Sequence, residues 1–198
     1  DYYVGPGVLV PRADTEILAE ECIKVLKDKE KPEALDLCAG SGCIGITIAK
    51  EVPSSFVTML EKFPEAARYA ERNRERHEAS NTKLVTGDVL RGDLSNKSFD
   101  LIVSNPPYIN EEEMNIISPE TRYEPETALL SPGDGLDFYR AIIENYKNSI
   151  KKDGMLAFEV GIGKAQAVKE LLDGAGFKKT NIKKDLNGVD RAVYGFKE

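Results

Sequence analysis

The pentapeptide Ser104-Asn105-Pro106-Pro107-Tyr108 brings an amide, two prolines and an aromatic ring to one point of the chain. Two consecutive prolines lack backbone N–H donors, so the segment offers the Asn105 side-chain oxygen and the Pro106 carbonyl as acceptors with little competition. A fixed acceptor pair suits an NH2 group. An amide or aniline-type nitrogen is a poor nucleophile because its lone pair is delocalised, and positive charge builds on it as it attacks an electrophilic carbon. Acceptors aimed at its hydrogens stabilise that charge and hold the nitrogen in line. This chemistry requires neither a metal nor a covalent intermediate. Pro107 completes the rigid segment, and Tyr108 is expected to lie against the flat face of a planar substrate. The plainer alternative is a rigid turn with an exposed tyrosine.

A second segment, Asp36-Leu37-Cys38-Ala39-Gly40-Ser41-Gly42, places an acid near the end of an apolar run and follows it with a turn of small residues. Such a turn lets backbone approach a ligand closely at the N-terminus of the next helix. Gly40, Gly42 and Gly45 also satisfy G-x-G-x-x-G, and Glu61 lies about 20 residues on, where dinucleotide folds carry a ribose-binding acid. Spacing alone therefore does not separate a dinucleotide from S-adenosylmethionine. Asp36 favours the latter, because a carboxylate beside the loop partners a cationic amino group and repels a pyrophosphate. Glu61 is placed for two ribose hydroxyls. Asp88, after Gly87, is placed for an adenine amino group, with Val89 packing on the ring. The plain alternatives are a loop-capping Asp36, a solvated Glu61 and a turn-capping Asp88.

These residues need a scaffold that gathers the ends of several strands. Strands are expected at Ala34 to Cys38, Phe56 to Leu60, Lys83 to Thr86, Phe99 to Val103 and Met155 to Val160. Helices are expected from Asp14 or Thr15 (Ile17, Leu18, Cys22, Val25 and Leu26 on one face), from the Gly40 to Gly45 turn, at Pro64 to Arg76 and around Phe138 to Ile150. Such alternation means a parallel sheet with helices on both faces. Phe177 to Lys183 and Arg191 to Phe196 are joined by only Asp185-Leu186-Asn187-Gly188, too short for a crossover helix, so they pair as an antiparallel hairpin. A seven-stranded, mostly parallel sheet with an antiparallel C-terminal member resembles the class I methyltransferase (Rossmann-like) α/β fold. The stretch Ile109 to Asp134 is long for a connection and marks a candidate functional loop.

Composition narrows the classes of function. The 198 residues are 41% apolar and 31% charged, enough for one core and one compact domain over 1–198. A net charge of -7 argues against gripping nucleic acid through a broad basic surface. Cys22, Cys38 and Cys43 form neither a C-x-x-C pair nor a zinc pattern and suit reduced thiols in a cytoplasmic protein. There is no membrane-length apolar run and no signal-peptide pattern at the first residues. A monomer without metal is expected.

Taken together, the motifs resemble the HemK/PrmC family, methyltransferases that modify the glutamine of the Gly-Gly-Gln motif in peptide-chain release factors. The likeness runs along the chain. It includes Val8-Leu-Val-Pro-Arg12 with Asp14-Thr-Glu16, Asn105-Pro-Pro-Tyr108, Tyr123-Glu-Pro125 with Ala128-Leu129, Gly133-Asp-Gly-Leu-Asp137 with Tyr139-Arg140, Glu159-Val-Gly161 with Gln166, and Asp185-Leu186, Gly188 and Asp190-Arg191. The resemblance implies that Asn105 and Pro106 bind the glutamine amide, and that Asp36, Gly40, Glu61 and Asn105 surround S-adenosylmethionine. Ala39, Ser41, Gly42, Lys62, Asp88 and Val89 complete the expected cofactor site. Pro107, Tyr108 and Arg12 join Asn105 and Pro106 on the substrate side, with Asn105, Pro106 and Tyr108 nearest the chemistry. Two departures stand out: Cys38 where many members have glycine, and Glu61-Lys62 in place of an aspartate and a small residue. Bacterial-type members resemble a helical docking domain joined to this one. Here the chain begins almost at the Pro-Arg motif, so a catalytic domain without it is expected.

An adenine-amino methyltransferase of DNA or RNA uses the same acceptor loop, but would want a basic groove and a target-recognition segment. A dinucleotide-dependent oxidoreductase and a binding module fit less of the sequence. Arg12 either orients the substrate or forms an ion pair with Glu16 or Glu124. His77 belongs to a solvated charged helix, Glu111 to Glu113 start a short helix, and Lys178 to Lys184 are the wet face of the hairpin. Glu159 either supports the site or caps a strand.

Overall fold

A computed structural model of the chain describes residues 1–119 and 121–198. Its elements, in order, are α1 (Glu16–Lys27), β1 (Glu33–Leu37), α2 (Cys43–Glu51), β2 (Phe56–Glu61), α3 (Pro64–Arg76), β3 (Thr82–Thr86), β4 (Phe99–Ser104), α4 (Glu111–Met114), α5 (Glu126–Leu129), α6 (Asp137–Tyr146), β5 (Ile150–Glu159), α7 (Ala165–Gly174), β6 (Lys178–Lys184) and β7 (Asp190–Phe196). The seven strands form one sheet in the order β3-β2-β1-β4-β5-β7-β6. Strands β1 to β5 pair in parallel, and β7 runs antiparallel to both β5 and β6. The expected architecture is therefore observed.

Alternation along the central strands divides the core. Leu101, Val103, Met155 and Ala157 pack with Leu18, Cys22 and Leu26 of α1 and with Ile44 and Ile48 of α2. Ile102, Leu156 and Phe158 point to the other face, against Tyr139, Ile142 and Tyr146 of α6 and Val168 and Leu172 of α7. Burial of the central strands on both faces is what keeps a parallel sheet stable.

Beyond strand ends shifted by one residue, three differences from the sequence reading stand out. A helix, α7, stands between β5 and the hairpin, and it buries Ala165, Val168 and Leu172 at helical spacing. Helix α6 stops at Tyr146, because Ile150 is taken up by β5, where it pairs with Phe99. Strand β5 starts five residues earlier than Met155, and its irregular beginning is held by Asp153 N–H to Lys197 O (2.7 Å) and Lys197 N–H to Gly154 O (2.9 Å). The long connection after β4 is less irregular than expected. Asn110 caps α4 in a reciprocal box with Glu113, and α5 follows. Among the described residues no helix is long and apolar enough to cross a membrane.

Candidate active site at the carboxyl edge of the sheet

Strand order reverses between β1 and β4, so the connections leaving these neighbours run to opposite sides and open a crevice at their carboxyl ends. A cavity of about 330 Å3 occupies it. Its walls come from the loop after β1 (Cys38 to Ser41), the ends of β2 (Leu60 to Phe63) and β3 (Gly87 to Leu90), Asn105 and Pro107 after β4, the N-terminal arm Gly7 to Arg12 with Thr15, and Thr127, Ala128, Leu130 and Pro132.

The glycine loop turns through left-handed backbone at Gly40 (φ +56°) and Gly42 (φ +78°). Gly45 serves close packing instead. A Cβ there would lie 2.8 Å from Met59 Cγ and 3.0 Å from Asp36 Oδ2. Its amide donates to Asp36 Oδ2 at 2.9 Å. Asp36 is fully buried, and its other oxygen, Oδ1, has no hydrogen-bond partner. Burial, opposed by the Gly45 amide and reinforced by the negative charge of Glu61, pushes the carboxyl up to about 7. Asp36 and Gly42 therefore lie behind the loop, off the cavity wall, whereas Ala39, Gly40 and Ser41 line it.

Glu61, at the end of β2, is buried and on the wall. Its carboxylate is fixed by two main-chain donors, Gly40 N–H to Oε2 and Phe63 N–H to Oε1, each 2.8 Å. Those bonds hold it in place, and each oxygen retains acceptor capacity. Asp88 lines the cavity as well, but it also caps the turn of Val89 to Arg91: Oδ1 accepts from Leu90 N–H at 2.9 Å, and Oδ2 pairs with Lys62 Nζ at 2.9 Å. Burial raises its carboxyl, yet Lys62 and the Leu90 amide outweigh that and leave it below the usual aspartate value. The sequence reading weighed cofactor contact against turn capping here, and the geometry contains both the cap and a place on the wall. Lys62 and the buried Val89 line the same end.

On the other side, Asn105 and Pro107 reach the wall while Pro106 is buried behind them. The Asn105 side chain enters none of the described hydrogen bonds. Tyr108 is off the wall, which corrects the expectation that its ring faces a substrate. It packs against the α6 and α7 side of the core, in a slot that glycines keep open. A Cβ on Gly161 would fall 2.7 Å from Tyr108 Cδ2, and one on Gly135 would fall 2.5 Å from Tyr108 O. Tyr108 thus anchors the acceptor loop from behind. Arg12 lines the cavity and pairs with Glu124 at 2.5 Å, not with Glu16. Glu159 is buried, off the wall, and accepts from the Thr15 hydroxyl at 2.5 Å. Burial raises its carboxyl despite Thr15 and the nearby Arg191 and Arg12.

The structure thus brings Arg12, Ala39, Gly40, Ser41, Glu61, Lys62, Asp88, Val89, Asn105 and Pro107 around one cavity. Sequence reasoning missed Phe63, which directly follows the Glu61-Lys62 pair, and Gly7, while Val8 to Pro11 were noted only as part of the family motif and given no place in the site. Thr127 and Leu130 were flagged only through the neighbouring Tyr-Glu-Pro and Ala-Leu motifs.

A glycine loop at the switch point, a carboxylate at the end of β2, an acceptor loop after β4 and an antiparallel β7 together define the class I methyltransferase architecture. The sequence profile of the methyltransferase small domain matches residues 14–122. The release factor glutamine methyltransferase of Geobacter sulfurreducens is 41% identical over 196 residues, spanning 98% of this chain and 68% of its own length. That of Fusobacterium nucleatum is 39% identical over 193 residues, 97% of this chain and 54% of its own. This chain therefore covers about half of one relative and two thirds of the other. A solved release-factor-specific protein-(glutamine-N5) methyltransferase from Alicyclobacillus acidocaldarius superposes with a TM-score of 0.60 at 30% identity, over 100% of this chain and 99% of that one. The chain belongs to the release factor glutamine methyltransferase family.

Proposed function

We propose that this chain, as a catalytic domain over residues 1–198, transfers a methyl group from S-adenosylmethionine to the side-chain amide nitrogen of the glutamine in the Gly-Gly-Gln motif of a peptide-chain release factor. The observation that carries the reading is the meeting, in one cavity, of Asn105 and Pro107 from the acceptor loop with the glycine loop and Glu61. Family membership at about 40% identity supports the substrate class. The reading includes action as a monomer in the cytoplasm.

The residues present suit S-adenosylmethionine. Asp36 Oδ1 is a buried acceptor without a partner, which favours a cationic group at the loop in front of it over an anionic pyrophosphate. When bound, the cofactor supplies an electrophilic methyl on a sulfonium. Ala39, Gly40 and Ser41 would bring main chain close to its amino-acid end. Glu61, already oriented by two amides, would accept from ribose hydroxyls. Val89, Phe63 and Leu60 provide an apolar surface for a base, with Asp88 and Lys62 at its edge.

On the substrate side, the Asn105 side-chain oxygen and the Pro106 carbonyl would take the two amide hydrogens. That fixes the plane of the amide, raises the electron density of its nitrogen and stabilises the positive charge that grows there during transfer. Tyr108, wedged between Gly135 and Gly161, keeps the acceptor pair from relaxing. Arg12 and the arm exclude water from one side of the cavity.

The test is incubation with methyl-labelled adenosylmethionine and, separately, a release factor carrying Gly-Gly-Gln, its Gln→Ala variant and duplex DNA. Label on the unaltered factor alone is the expected result. Label on DNA points to the adenine-amino reaction and overturns the assignment. Label on the Gln→Ala factor overturns the choice of glutamine.

A further inference from the structure

The cavity wall includes the irregular arm Gly7 to Arg12 and, from the end of the connection that follows the acceptor pentapeptide, Thr127 and Ala128 of α5 with Leu130. This loop is pinned at its neck immediately after Tyr108: Ile109 N–H donates to Leu129 O (2.9 Å), and Ser131 N–H donates to Ile109 O (2.8 Å). A shift in the loop is therefore carried to the residue next to the acceptor pentapeptide. Among the described residues, the hydrogen bonds between residues 1–12 and residues 109–132 all end on the Glu124 side chain. Glu124 Oε2 accepts from Arg12 (2.5 Å), and Glu124 Oε1 accepts from Val10 N–H (3.3 Å). The Glu124 side chain is only 10% exposed, and that of Arg12 is 36% exposed. The other N–H groups of Arg12 enter none of the described hydrogen bonds, and Arg12 lines the cavity.

We propose that Glu124 is a positioning residue for the protein substrate. By clasping Arg12 and the Val10 amide, it sets the width of the mouth and turns the remaining Arg12 donors toward main-chain carbonyls of an extended peptide flanking the target side chain. A guanidinium whose fork is already fixed on one side loses less freedom when it takes up further acceptors. This inference rests on the proposed protein-glutamine reaction and deepens it. The cofactor end of the cavity is built from other loops, at Gly40, Glu61 and Asp88, so the clasp acts on substrate and leaves cofactor binding alone.

The experiment compares wild type with Glu124→Gln and Glu124→Asp, and Arg12→Glu alone with the reversed pair R12E/E124R. Steady-state methylation of the release factor and calorimetric binding of adenosylmethionine are measured on each. Losing one charge-assisted bond predicts a KM for the release factor raised on the order of tenfold in Glu124→Gln. The kcat stays within about twofold, the cofactor Kd is unchanged, Glu124→Asp is milder, and the reversed pair recovers most of what R12E alone loses. An unchanged KM in folded Glu124→Gln overturns the proposal. So does a cofactor Kd that rises in step with KM, which marks a merely structural tie. If wild type labels no release factor, the functional reading itself has failed. The clasp is then judged by amide exchange, which Glu124→Gln must accelerate at Val10 and across residues 126–130, and unchanged exchange there overturns it.

Discussion

Asp36 is a fully buried carboxyl whose ionisation the fold opposes, and Asp36→Asn turns this into a measurable quantity. A carboxyl held at about 7 when folded and at 3.8 in the open chain keeps its proton in the native state over a range where the unfolded chain has lost it. Its contribution to stability is then fully present below pH 3.8, declines as pH rises, and is gone above about 7. Between pH 5.5 and pH 8 about 1.5 units of that window remain, and at 1.36 kcal/mol per unit wild type should lose about 2 kcal/mol relative to a variant that cannot ionise. Asparagine keeps an acceptor for the Gly45 amide, so the local fold survives the change. Other titrating groups cancel when the two proteins are compared at each pH. For a domain of this size about 2 kcal/mol corresponds to roughly 4–8 °C in Tm. Thermal unfolding of the ligand-free proteins should therefore show the Asp36→Asn advantage over wild type growing by that amount from pH 5.5 to pH 8. A gap that stays constant, or shrinks, would mean that burial does not hold the proton on Asp36 at the lower pH and would refute the reasoning. On the proposed function adenosylmethionine adds a second readout: it should stabilise wild type more than Asp36→Asn at pH 8, because a negative charge behind the glycine loop acts through space on an ammonium in front of it.

Three further outcomes follow from individual contacts. Cys38→Gly should raise Tm by up to about 4 °C, since Cys38 sits at φ +57°, where a side chain costs on the order of 1 kcal/mol that glycine escapes; calorimetry checks it. Asn105→Ala should lower kcat on the release factor by about 100-fold or more, the usual cost of removing one aimed hydrogen-bonding group at a developing charge, and leave the fold intact by circular dichroism. Gly161→Ala puts a methyl 2.7 Å from the Tyr108 ring and should destabilise the protein by about 1–3 kcal/mol. It should also lower kcat although residue 161 is off the cavity wall, as denaturant titration and single-turnover rates will show.

The layout of the sheet was legible because periodicity and turn chemistry agree along most of the chain. Pro64 to Arg76 forms a helix over the expected residues, and the short connection Asp185 to Val189 between β6 and β7 goes with an antiparallel pair. Helix α7 was overlooked although Val168 and Leu172 carry its signal, because Gly161 and Gly163 before it and Gly174 and Gly176 after it read as loop. The site was legible where backbone constraint announces itself, at the glycine turn and the double proline. It was less so where depth decides the role. Nothing local distinguishes Asp36, sealed behind the loop, from Glu61 on the wall, because both are acids at strand ends. Tyr108 turned inward for a reason that lies more than 50 residues away, in the absence of a side chain at Gly161. Of the partners that hold the arm, Glu124 was one of two named for Arg12 from the sequence, whereas the bond of the following Thr15 to Glu159 has no local pattern to announce it.

The same acceptor pair would serve an adenine amino group as well as a glutamine amide, so the choice between them lies in the field around the mouth. Residues 110–130 carry six carboxylates against a single arginine. The cations that do approach this edge are already spent: Arg12 on Glu124, Lys62 on Asp88, Lys164 on Glu113 and Arg140 on Asp134. A nucleic-acid strand gains most of its affinity by exchanging condensed counterions for free lysines and arginines. Here each phosphate would first have to break an ion pair beside further carboxylates of the same segment. A peptide loop brings no such charge, and its main-chain carbonyls need only the donors that Arg12 has left over. On the proposed reading, the acidic connection after the acceptor pentapeptide favours a peptide over a nucleic-acid strand, and it carries Glu124, the residue proposed to position it.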